Sequence, residues 1–74
     1  MERTATPPSP LRLERIKQGI QPWRMAQQLG ISLSMYYLYE QERRRPAADM
    51  RHKIADILKV SVSQIFSEQD NDQN

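Results

Sequence analysis

Apolar residues recur along this chain in short helix-period groups, each opened by a serine or proline and the first two closed by a glycine. Ser9-Pro10 opens the first group, with serine as N-cap and proline at the first helical position. It carries Leu11, Leu13 and Ile16 and runs to about Gln18, where Gly19 ends it. Gln21-Pro22 opens a second helix whose apolar face is Met25, Ala26 and Leu29, and Gly30 stops it. Ser32 caps a third helix over about Leu33 to Glu40. Residues 41–46 form a polar loop with three successive arginines. Met50, Ile54, Ile57 and Leu58 give a fourth helix, beginning near Ala47, its buried stripe. Ser61 with Gln64 reads as a capping box, and Val60 with Ile65 as a hydrophobic staple, for a fifth helix over Val62 to Phe66. No segment alternates at period two for long. The expected fold class is therefore all-α, with five short helices.

The flanks differ from this body. Residues 1–8, with Pro7 and Pro8, read as a disordered arm, and residues 67–74 as an acidic polar tail; the domain proper is 9–66. The net charge of +2 conceals an asymmetry. Residues 10–66 hold ten Lys/Arg against five Asp/Glu, while the tail adds Glu68, Asp70 and Asp72. A basic body suits an acidic polymer, and an acidic tail weakens non-specific adhesion.

At 74 residues the chain affords one small domain, without room for both a core and a deep catalytic cavity. With no cysteine, disulfides and thiolate metal sites are excluded. His52, the single histidine, has no evident partner or pocket for general-base work or metal binding. We expect no catalytic residues, no metal and no cofactor. No stretch approaches the ~20 apolar residues of a membrane span, so no membrane association and an intracellular location are expected.

The short link Gly30-Ile31-Ser32 forces helices 2 and 3 to cross tightly. Ala26 supplies the small residue where they touch, Gly30 the tolerance of positive φ, and Ile31, Tyr36 and Tyr39 the apolar plug behind the junction. This spacing is a helix-turn-helix signature. With "MAQQLGIS", "YYLYE", Pro46 after a basic loop and "KIADILKVSVSQIF", the chain resembles the repressor/Cro-type (XRE) family, built on the lambda-repressor-like fold, over Leu11 to Phe66.

The resemblance implies a cytoplasmic bacterial or phage transcriptional regulator, a repressor by expectation, with helix 3 in the major groove of double-stranded operator DNA. It implies a homodimer at least on DNA, with helix 5 as the dimer surface; a regulatory protein partner is open. It implies phosphate contacts at the start of helix 2 and in the loop after helix 3, where Trp23, Arg24, Ser32, Arg43, Arg44 and Arg45 stand as candidates. For Trp23, half-buried packing is the alternative. The resemblance also implies a structural ion pair between Arg15 and Glu40.

Helical geometry adds its own reading of helix 3. At 100° per residue, Tyr36, Tyr39 and Glu40 cluster on one side; Ser34, Tyr37, Leu38 and Gln41 point to the other, with Leu33 at the N-terminal edge. Leu33, Ser34, Tyr37, Leu38 and Gln41 are the candidate base readers. This outward face has no Arg, Lys or Asn. Relatives often carry Gln at Pro22 and Gly at Glu42, so Glu42 must adopt a positive φ or extend the helix. A second reading follows: a protein-interaction module that keeps the fold without base readout, using the exposed Tyr37, Leu38 and Trp23.

Overall fold

The computed structural model describes residues 8–66; the arm and the acidic tail read from the sequence lie outside them, Pro8 excepted. Five helices follow in order: α1 (Pro10–Lys17), α2 (Pro22–Leu29), α3 (Leu33–Glu40), α4 (Ala48–Leu58) and α5 (Val62–Ile65). There is no strand among the described residues, as the all-α reading requires.

Serines start three of the helices. Ser9 Oγ accepts the Arg12 N–H at 3.2 Å, Ser32 Oγ accepts the Met35 N–H at 3.1 Å, and at α5 the Ser61 N–H donates to Gln64 Oε1 at 3.0 Å. Each satisfies an amide that the first helical turn leaves without a partner. α2 and α4 start without a side-chain cap; proline fills the first position of α2, and Asp49 lies in the first turn of α4.

α1 to α4 all end in the same way. A residue at positive φ follows each helix: Gly19 at 71°, Gly30 at 72°, Glu42 at 61° and Lys59 at 59°. At each, two backbone bonds close a Schellman turn. For α2 they are Gly30 N–H to the Gln27 carbonyl at 3.1 Å and Ile31 N–H to the Ala26 carbonyl at 3.0 Å. For α3 they are Glu42 N–H to Tyr39 at 3.1 Å and Arg43 N–H to Leu38 at 2.9 Å. The residue after the turn returns to the core as Ile20, Ile31 or Val60 in three cases. After α3 it is Arg43, exposed, so the chain leaves that helix along the surface as a basic loop.

Glu42 therefore holds a left-handed conformation that costs a non-glycine residue about 1–2 kcal/mol. Glu42→Gly is expected to raise stability by ~0.5–1 kcal/mol, the extra freedom of glycine in the unfolded chain cancelling part of the gain. A thermal melt checks this; a lower melting temperature would show that the loop holds Glu42 without strain.

The core is Leu11, Met25, Ala26, Leu29, Tyr36, Ile54, Ala55, Leu58 and Ile65, with Met50, Ile57, Tyr39 and Phe66 packed on its edge. Ala26 is buried where α2 meets α3, as the tight crossing demands. α1 departs from its apolar pattern. Leu13 and Ile16 are about half exposed, and the buried line runs through Leu11 and Arg15 instead. Residues 11 and 15 lie 40° apart on a helix, whereas 11 and 13 lie 200° apart, so one face cannot hold both leucines. Gln18 Nε2 donates to the Leu58 carbonyl at 2.7 Å and so pins the end of α1 to the end of α4.

Candidate nucleic-acid interface

α3 presents two unlike sides, and α1 holds the inner one. Glu40, at the last turn of α3, is buried. Its Oε2 accepts from Arg15 Nε at 2.6 Å and from the Tyr36 hydroxyl at 2.6 Å; Oε1 accepts from Arg15 Nη2 at 3.4 Å. Arg15 Nη1 also donates to the Ile20 carbonyl at 2.8 Å, which ties the α1–α2 link into the network. Ser9 Oγ donates to the Glu40 carbonyl at 2.7 Å. Each charged or hydroxyl group in this buried cluster thus has a partner, the condition under which a buried charge is tolerated. Burial works against the Arg15 charge, but the hydrogen bond and the charge of Glu40 outweigh it and hold its pKa above the ordinary value. Burial, then the bond to Glu40, push the Tyr36 phenol far above its usual range, so it stays a neutral donor.

The outer side carries the five residues read as base contacts. Leu33 and Tyr37 are 40% and 39% exposed, Ser34 and Gln41 are exposed, and Leu38 is half-buried. Rings of Tyr36 and Tyr37 lie 6.3 Å apart, so the inward tyrosine backs the outward one.

The residues read as phosphate contacts lie on α2, at the α3 cap and in the loop after α3. Trp23 is 53% exposed at the start of α2, with the Arg24 guanidinium 5.5 Å from its ring centroid. It is not among the residues packed on the core, and close to half of its surface is covered. Ser32 is exposed and spends its hydroxyl on capping α3. Arg43, Arg44 and Arg45 are all exposed.

The structure gathers some of these residues and separates others. A groove of about 620 Å³ runs between α1, the start of α2 and the end of α3, and is walled by Arg12, Pro22, Tyr37, Gln41 and Arg43, with Arg15 and Glu40 also lining it. Arg44 and Arg45 line a different groove, beside Phe66. Arg12 was missed by the sequence reading. Its signal was the three-residue spacing to Arg15, which sets both on the side of α1 that faces α3.

A helix-turn-helix family profile matches residues 11–65. The chain belongs to the repressor/Cro-type (XRE) helix-turn-helix family. No curated protein and no solved structure gives a significant match to it. As an XRE-family protein it is a DNA-binding helix-turn-helix regulator. Within that family frame, α2 and α3 are the helix-turn-helix pair and Gly30-Ile31-Ser32 is its turn. Among the described residues no group of three His, Cys, Asp or Glu could hold a metal ion, and no helix is long and apolar enough to cross a membrane.

Proposed function

We propose that this protein is a sequence-specific repressor that lays α3 in the major groove of operator DNA, with bases read by Leu33, Ser34, Tyr37, Leu38 and Gln41. The observation that carries this reading is the exposed, largely apolar outer side of α3, whose Tyr37 and Gln41 share a groove with Arg12 and Arg43. Phosphates are held by Arg43, Arg44 and Arg45 on one flank and by Trp23, Arg24 and the Ser32 region on the other, with Arg12 added from the groove. Two copies bind a palindromic site with half-sites ~34 Å apart. Phe66, half-buried at the α5 edge, is the proposed dimer contact; Ile65, which the sequence also offered, is 3% exposed and belongs to the core.

The side chains set the kind of readout. Leu33 and Leu38 can neither donate nor accept a hydrogen bond, so the feature they can recognise in the major groove is the thymine methyl. Ser34 and Tyr37 add hydroxyls, and Gln41 an amide that suits adenine. The half-sites are accordingly A·T-rich, with modest discrimination per position and a large share from phosphate contacts and DNA shape.

Selection of bound sequences from a random DNA pool tests the reading. Replacing a contacted thymine by deoxyuridine removes one methyl and should weaken binding about threefold to fourfold, the worth of one buried methyl group. Tyr37→Ala should reduce preference for the selected site more than it reduces non-specific binding. A selected motif dominated by guanine contacts would overturn the apolar readout. The exposure of Trp23 and Tyr37 also favours a second reading, a protein-docking face; no DNA retention even at low salt would overturn the first reading and promote the second.

A further inference from the structure

The second groove, of about 350 Å³, lies away from the α2 start and Tyr37. It is formed where the N-terminus of α1 (Ser9, Pro10, Leu11), the α3–α4 loop and the end of α5 (Ile65, Phe66) meet. Its rim is charged: Arg44 and Arg45 line it, with Glu42 as the one carboxylate among its lining residues. Phe66 is one wall, in extended backbone conformation with φ −128° and ψ 135°.

We propose that this groove is a binding site for the chain's own acidic segment, residues 67–74, which competes with DNA phosphate for Arg44 and Arg45. Three observations lead to it. The segment carries Glu68, Asp70 and Asp72 and no cation, opposite a rim with two arginines. Glu68 is two residues beyond Phe66, within ~7 Å of a groove wall, and Asp72 reaches no further than ~21 Å. The segment is tethered to Phe66, so its ion pairs form without the cost of bringing two molecules together. The same arginines serve two anions in turn, and free DNA must displace the segment.

This part of the proposal rests on the reading of Arg44 and Arg45 as phosphate contacts; the docking does not, and the two are tested apart. The full chain is compared with the variant E68Q/D70N/D72N. Without DNA, the side-chain Nε–H signals of Arg44 and Arg45 and the Phe66 amide should shift between the two in NMR spectra, and the shifts should vanish at ~1 M salt. Unchanged signals would overturn the docking, whatever the protein does with DNA. With DNA, the neutral variant should bind non-specific duplex about threefold to tenfold more tightly at low salt. In an R44A/R45A background the same three substitutions should change affinity by less than twofold. An equal gain in both backgrounds would show that the segment acts only through net charge and overturn the competition. If the NMR shifts appear while neither chain binds DNA, the docking stands and the phosphate reading falls.

Discussion

Glu40→Ala is expected to lower the melting temperature by roughly 15–30 °C. The substitution leaves Arg15 buried without its carboxylate and removes the acceptor of the Tyr36 hydroxyl. Breaking a buried pair from one side costs about 3–5 kcal/mol, because the remaining charge keeps its desolvation cost and loses its compensation. In a domain this small, each kcal/mol shifts the midpoint by ~4–8 °C. Glu40→Gln separates charge from shape. It keeps an acceptor for Tyr36 and for one Arg15 N–H, so its melt should fall between the other two. A drop of only a degree or two for Glu40→Ala would mean that water reaches Arg15 and the pair is not structural.

The second large effect belongs to the basic loop. Replacing Arg43, Arg44 and Arg45 together by alanine should weaken binding to all duplex sequences alike, by about a hundredfold or more near 0.1 M salt. Each phosphate contact contributes ~0.9 to the slope of log affinity against log salt, so the slope should fall by up to ~3. Thermal stability should hardly move, since all three side chains are exposed and the turn is built from backbone bonds to Leu38 and Tyr39. An unchanged slope would reduce the loop to a solvated surface.

What was legible in the sequence was local. Ser9, Ser32 and Ser61 mark helix starts because their hydroxyls or amides close bonds within three or four residues, and Gly19 and Gly30 mark ends because they tolerate positive φ. Lys59 ends α4 in the same conformation without such a signal: the pull comes from Val60 returning to the core, a tertiary effect. Leu13 and Ile16 misled for the converse reason. α1 is short, its single buried line is taken by Leu11 and Arg15, and hydropathy alone does not rank a charged residue as buried. Arg15 and Glu40 came from family resemblance, since 25 residues separate them. The bond from Ser9 to the Glu40 carbonyl spans 31 residues and left no mark on either. The candidate interface was legible on α3, where 100° per residue sorts the faces, and illegible in its grooves, which only packing assembles.

The division of α3 into a wired inner side and an unencumbered outer side has an evolutionary consequence. Glu40 is anchored to α1 by Arg15, and Tyr36 to Glu40, by bonds that none of the five outward side chains shares. Positions 33, 34, 37, 38 and 41 can thus be rewritten together while the scaffold stays put, much as type is reset in a fixed frame. A lineage carrying this domain can move to new targets by substitutions that spare the network between α1 and α3, and a library randomised at those five positions should be rich in well-folded members with divergent preferences.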